Sequence, residues 1–189
     1  TVEDPVEMSL PKATQIEVNE KGGTGFNASL RSLLRLDPDI IMIGEIRDEE
    51  TARLAVKAAL TGHLVLTTLH TNSALGAIPR LLDMGIEPVL LANSLSGVSA
   101  QRLVKKVCSC AQTVKFGESS YAEKYAHLNI NPDVEIKEAN IMGCDLPGCR
   151  SGYNGRVGVN EVAEIPASAV KLMENKAPLA DVEDDIREN

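Results

Sequence analysis

One ten-residue stretch constrains this chain more than any other: Asp39-Ile-Ile-Met-Ile-Gly-Glu45-Ile-Arg47-Asp48. Four consecutive apolar residues, Ile40 to Ile43, sit between Asp-Pro-Asp and Gly-Glu, which predicts a short strand of a parallel sheet, buried on both faces. Glu45, Arg47 and Asp48 then fall at its carboxyl end. Ligands of open α/β sheets bind outside the carboxyl ends of the strands, so Glu45 is placed to meet a phosphate-bound metal or a water. Alternatively, Glu45 and Arg47 cap the following helix and pair at the surface.

A length of 189 residues corresponds to one domain, or one domain with a small appendage. No apolar stretch reaches the length needed to span a bilayer, and Thr1-Val-Glu-Asp-Pro lacks the basic and hydrophobic regions of a signal peptide. A net charge of -8 argues against general nucleic-acid binding, which needs a basic face. Because the sequence starts in a strand-like segment without Met, it is expected to be part of a longer protein.

From residue 1 to about 106, helical and strand-like segments alternate as a layered α/β sheet requires. Asn27 is expected to cap a helix from Ala28 to Leu36 that sets Arg31 and Arg35 on one face, and the Ile40 strand follows. Asp48 is the expected N-cap of a helix to Leu60 that stops at Thr61-Gly62, and Leu64 to Leu69 is the next strand. A helix from Ser73 to Met84 ends at Gly85, and Glu87 to Lys106 is expected to be mostly helical. Residues 107–158 hold all four cysteines and form a small inserted lobe. Residues 159–189 become helical from Pro166 and end in an acidic, solvated run at Asp181, Glu183, Asp184, Asp185 and Glu188.

Glu3 stands at a second strand end, between Val2 and Pro5. If its strand neighbours that of Glu45, the two carboxylates flank one site, where one activates water and the other holds Mg²⁺. Gly23-x-Gly25-x-x-Ala28 nominally fits a dinucleotide fingerprint, but the polar segment before it, Ile16-Glu-Val-Asn, is not the buried strand that the fingerprint needs, which favours a plain turn. No G-x-x-x-x-G-K-[ST] occurs, so the chain lacks the loop that supplies most of a triphosphate's grip. His63 and His70 stand at opposite ends of the Leu64 to Leu69 strand, about 23 Å apart if extended and too far to share a metal. His70, beside Thr67, Thr68, Thr71 and Asn72, faces the ligand side. Cys108-x-Cys110 and Cys144-x₄-Cys149 are two pairs that can supply four thiolates to a tetrahedral Zn²⁺; free thiols and disulfides are the alternatives.

Taken together, four segments resemble the secretion ATPases of type II secretion and type IV pilus assembly. They are Thr1-Val-Glu-Asp-Pro-Val-Glu7, Leu30-Arg-Ser-Leu-Leu-Arg-Leu-Asp-Pro-Asp39, Ile43-Gly-Glu-Ile-Arg-Asp48 and Thr61-Gly-His-Leu-Val-Leu-Thr-Thr-Leu-His-Thr-Asn72. The likeness continues through Arg80-Leu-Leu-Asp-Met-Gly85 and Gln101-Arg-Leu-Val104 to Gly152-Tyr-Asn-Gly-Arg156. It implies the C-terminal portion of a RecA-like P-loop NTPase core (residues 1–106) carrying a zinc-type cysteine lobe and a helical C-terminal segment. The same resemblance implies a cytoplasmic homo-hexamer, peripheral on the inner face of the inner membrane, that uses ATP and Mg²⁺ and engages inner-membrane platform proteins. By position, Glu3 corresponds to the family's candidate general base and Glu45 to the Walker B glutamate, with Gly44 where many NTPases place Asp. His63 and His70 match the His box that reports the γ-phosphate, and Arg35 and Arg47 are similar to finger arginines.

Two departures stand out. The family's P-loop lies upstream of the first segment, so the chain alone is expected to be inactive. Its usual two C-x-x-C pairs are here C-x-C and C-x₄-C, held by Cys108, Cys110, Cys144 and Cys149. The cysteine lobe leans toward secretion or pilus extension, since retraction motors are generally without it. The competing function is a non-catalytic, zinc-dependent interaction module that docks on an inner-membrane platform.

Overall fold

The computed structural model describes residues 1–19, 22 and 24–189. Gly23 of the nominal dinucleotide fingerprint therefore lies outside the described residues. Two compact units are present, one comprising residues 1–100 with 161–189 and the other residues 101–160. Residues 159–189 are thus divided: 161–189 belong to the unit that contains the sheet.

The larger unit is built on four parallel strands: β1 (Val2–Glu3), β2 (Ile16–Glu17), β3 (Ile40–Ile43) and β4 (Leu64–Thr67), in the order β2-β1-β3-β4. Helix α1 (Phe26–Leu33) follows β2, and α2 (Glu49–Leu60) joins β3 to β4. Asp48 caps α2 by accepting from the Thr51 amide at 2.8 Å, and Glu49 and Glu50 in the first turn complement the helix dipole. Thr51, Ala52, Ala55, Val56 and Ala58 form its buried face, and Gly62 at φ +99 lets the chain turn into β4. Helices α3 (Ala77–Asp83) and α4 (Pro88–Ser94) continue the layer, with Gly85 at φ +79 between them.

Several boundaries differ from the sequence expectation. α1 begins at Phe26 and gives way to a 3₁₀ turn at Leu34–Leu36. Asn27 does not cap it; its side chain donates to Glu50 and accepts from Thr51, tying α1 to α2. Ser73 accepts from the Gly76 amide and lies four residues before α3 starts. The largest correction concerns residues 87–106: α4 stops at Ser94 and β5 (Gly97–Val107) follows. The β-branched Val98, Val104 and Val107 favour extended chain, and Leu95 already has strand geometry.

β3 is also not buried on both faces. Ile41 and Ile43 are buried among helical residues of the core, whereas Ile40 is 61% exposed. Register pairs Ile40 with Leu64 and Met42 with Leu66, so one sheet face shows a row of aliphatic side chains to solvent.

β5 pairs with β8 (Tyr153–Glu164), and the chain returns to the larger unit through α5 (Ala167–Glu174) and α6 (Leu179–Glu188), which bury Ala169, Met173, Val182 and Ile186 in the same core. The carboxylates of α6 are largely solvated, Glu183 and Asp184 pairing with Arg187. The smaller unit holds the distal part of that two-stranded ribbon and the hairpin of β6 (Gln112–Lys115) with β7 (Glu135–Glu138), paired antiparallel. Within residues 101–160, only Cys108, Phe116, Ser119 and Gly152 are buried.

Candidate functional site

Parallel pairing brings the carboxyl ends of β1, β3 and β4 to one edge of the sheet, and the sequence-predicted acidic residues follow directly on two of them. Val2 is opposite Ile43, and the Gly44 amide donates to the Val2 carbonyl at 2.8 Å, so Glu3 and Glu45 emerge from neighbouring strands. The expectation that their strands are adjacent is met. On the other side, the Ile46 amide donates to the Thr68 carbonyl and the Thr68 hydroxyl to the Gly44 carbonyl at 2.6 Å, fixing the chain that leads to His70. A Cβ at position 44 would sit 3.3 Å from the Val2 oxygen and 3.4 Å from the Glu3 Cα. A side chain here would need the β1 backbone to give by a few tenths of an ångström.

These strand ends line a cleft of about 270 Å³ with Glu3, Asp4, Glu7, Glu45, Thr68 and His70 in its wall. Glu45 has a nearly buried side chain, held by Arg47 through one oxygen and by His70 Nε2 at 3.1 Å through the other. The Arg47 guanidinium, and next the His70 ring, hold its carboxyl below the usual range, against a desolvation that acts the other way. Arg47 also lies 4.0 Å from Asp4. Glu3 is buried; its Oε1 accepts from the Thr1 hydroxyl and from Gln15 Nε2 at 3.0 Å, and these bonds lower its pKa.

The structure therefore brings together Glu3, Glu45, Arg47 and His70. His63 lies elsewhere: its Nδ1 is 3.0 Å from the Ala58 carbonyl and 3.2 Å from the Thr61 hydroxyl, at the end of α2. Arg35 is exposed on the 3₁₀ turn and does not line the cleft. Thr1 and Gln15 are the site residues that sequence reasoning missed. Gln15 is twelve residues from Glu3 and reaches it only because β1 and β2 pair in parallel, with Glu3 opposite Glu17.

Both depressed carboxylates have the same consequence for stability. A carboxyl more acidic in the folded chain contributes stability above its ordinary value of 4.5, and that contribution is lost as pH falls through the lowered folded value. The Tm deficit of Glu45→Gln relative to wild type should therefore be largest near neutral pH and shrink as pH falls below the ordinary value of 4.5. A deficit that stays constant over that range would assign the loss to packing.

In the smaller unit, the four cysteine sulfurs all lie within 4.8 Å of one another. Cys108 and Cys144 are 3.8 Å apart and Cys110 and Cys149 4.0 Å apart, and all four are free thiols. A tetrahedron with Zn–S bonds of about 2.3 Å has edges of about 3.8 Å, so the donor set fits zinc despite the unequal spacing in sequence. The Cys110 amide bonded to the Cys108 sulfur lowers the Cys108 thiol to about 6, while burial and the neighbouring sulfurs push Cys110 up to about 12. A bound divalent cation would favour the thiolate form that metal ligation needs.

The arrangement of the sheet and its helices is shared with solved structures. The pilus retraction motor PilT with bound ADP superposes with a TM-score of 0.66 at 28% identity, covering 100% of this chain and 44% of that one. The ATPase DotB of Legionella pneumophila gives 0.60 at 21% identity, covering 99% of this chain and 42% of its own. The larger unit is a RecA-like α/β core. The chain belongs to the type II/IV secretion system protein family, which it matches over residues 1–189.

Among curated relatives, the type II secretion system protein HxcR of Pseudomonas aeruginosa is 48% identical over 174 residues, 92% of this chain and 32% of the relative. The type II secretion system protein E of Pectobacterium carotovorum is 50% identical over 166 residues, 87% and 32% respectively. The type IV pilus assembly ATPase PilB of Acinetobacter baylyi is 47% identical over 174 residues, 92% and 30%. The chain thus spans about a third of the length of the curated relatives it matches. No helix among the described residues is long and apolar enough to cross a membrane.

Proposed function

We propose that this chain forms the water-activating side of the catalytic site in a hexameric ATPase that powers type II secretion or type IV pilus assembly from the cytoplasmic face of the inner membrane. The observation that carries it is the convergence of Glu3, Glu45 and His70 on one cleft at the carboxyl edge of the sheet. Glu3 takes a proton from the attacking water. The water oxygen bonds to the γ-phosphorus as the bond to the bridging oxygen breaks, and its electron pair leaves on ADP. Glu45 would hold Mg²⁺ through its water shell, and the bound ion would supply positive charge to offset the phosphates. His70, hydrogen-bonded to Glu45 and otherwise 84% exposed, reports the presence of the γ-phosphate by exchanging that partner.

The cleft supports this division of labour electrostatically. Its wall carries the carboxylates of Glu3, Asp4, Glu7 and Glu45, so a bare triphosphate is repelled unless a cation bridges them. Arg47 pairs with Glu45 and lies 4.0 Å from Asp4, so a cation held at these carboxylates would compete with its guanidinium. With no P-loop lysine or backbone cradle of its own, the isolated chain is inactive. The four cysteines hold Zn²⁺, and partners on the inner-membrane platform dock on the assembled protein.

In the full-length protein, MgATP should be hydrolysed and Glu45→Gln should lower turnover at least about tenfold with ATP still bound. Phosphate release and binding of a fluorescent ATP analogue read the two separately. Wild-type turnover in the variant would sink the role of Glu45; absence of ATP hydrolysis alongside zinc and platform binding would favour the interaction module instead.

A further inference from the structure

Both N–H donors and the oxygen of the Gln15 side-chain amide are engaged. Its Nε2 donates to Glu3 Oε1 at 3.0 Å and to the Met8 carbonyl at 3.1 Å, and its Oε1 accepts from the Leu10 amide at 2.7 Å. A carboxylate and a carbonyl accept only, and an amide N–H donates only, so the three partners permit one amide orientation. Gln15 is fixed in turn by its place just before β2, where the Ile16 amide donates to the Thr1 carbonyl at 3.0 Å. The residue therefore braces the loop between Asp4 and Thr14 against the Glu3 carboxylate.

The bracing is asymmetric. Both hydrogen bonds to Glu3, from Thr1 and from Gln15, fall on Oε1. Among the described residues no donor reaches Oε2, while Glu3 lines the cleft. One oxygen is held in place and the other is presented, as a base that must receive a proton along a defined direction requires.

We infer that Gln15 is a positioning residue for the ATP-hydrolysis step, orienting Glu3 so that Oε2 meets the attacking water and tying the Asp4–Thr14 loop to the wall of the cleft. This rests on Glu3 acting as the general base. Gln15 meets Glu3 from outside the cleft lining, so its contribution is to the chemical step and not to binding. Misplacing a reacting group by about 1 Å can cost about a hundredfold, far more than one hydrogen bond at an edge strand contributes to folding.

The test uses the full-length protein with Gln15→Met, which keeps the side chain's length but removes both donors and the acceptor, and Gln15→Glu, which sets a second carboxylate against the first. Steady-state ATP hydrolysis is measured together with the ¹³C titration of the Glu3 carboxyl by NMR on the present chain. Gln15→Met should lower kcat at least tenfold with KM for ATP within twofold, and should move the Glu3 titration midpoint upward; Gln15→Glu should move it further. A raised KM with unchanged kcat, or an unmoved Glu3 titration in both variants, overturns the inference. Glu3→Gln separates it from the reading beneath it. If that variant keeps wild-type turnover, Glu3 is not the base and both fall; if it loses turnover while Gln15→Met keeps it, only the role of Gln15 falls.

Discussion

Glu3→Gln in the full-length protein is expected to cut kcat for ATP hydrolysis by about 10²–10⁴-fold while leaving ATP affinity within a factor of a few. Glutamine preserves the side chain's size and still accepts from Thr1 and Gln15, so the buried site stays filled. What disappears is a carboxylate held ionised by those two donors. The loss should appear in kcat because no phosphate-binding group is removed, and the proton acceptor is needed only as the transition state forms. Single-turnover phosphate release and equilibrium binding of an ATP analogue distinguish the outcomes. A variant with normal turnover would transfer the base role to Glu45, the other hydrogen-bonded carboxylate of the cleft. A variant that no longer binds ATP would assign Glu3 to nucleotide binding instead.

The second large effect is expected in residues 101–160. That unit buries so few side chains that hydrophobic burial alone leaves it marginal, and small units of this kind depend on a staple. Zinc bound by Cys108, Cys110, Cys144 and Cys149 would supply it, since structural zinc contributes about 10–16 kcal/mol in zinc-finger peptides at neutral pH. The purified chain should contain about one zinc per molecule, and chelation or Cys108→Ser should open this unit to limited proteolysis and flatten the near-UV signal of Tyr121 and Tyr153. Those tyrosines lie with their hydroxyls 3.5 Å apart, so they report its packing. The larger unit, whose core includes none of these cysteines, should retain its helical circular dichroism. Metal-free protein with the same protease resistance would show that the thiols are structural without a cation.

Sequence and structure agree most closely where local chemistry alone decides. Asp48 and Gly62 mark the two ends of α2 because a carboxylate caps a helix start and glycine accepts the left-handed turn after its end, whatever lies elsewhere in the chain. The adjacency of Glu3 and Glu45 is legible once both are recognised as strand ends. β5 is not, because a run rich in leucine and valine without clear periodicity suits a helix or a strand equally and its pairing with β8 decides. The expectation of a strand covered on both faces errs for a related reason: apolarity shows what a residue prefers, not what covers it. Gln15 and Thr1 could not be found from spacing, since their roles arise from the β1–β2 register. The cysteines show the converse, for unequal spacing in sequence still closes to a compact set of sulfurs.

The uncovered row of Ile40, Leu64 and Leu66 has a consequence for how this stretch behaves as a separate molecule. Each Å² of apolar surface left in water forgoes roughly 25 cal/mol, so any surface that seals the row is driven onto it. Its melting temperature should accordingly rise with protein concentration as copies shield one another, and fall toward a limiting value on dilution. A hydrophobic dye would report the same row directly. For a crystallographer or an assay developer, the sheet's bare face makes the measured stability of this chain a property of its company.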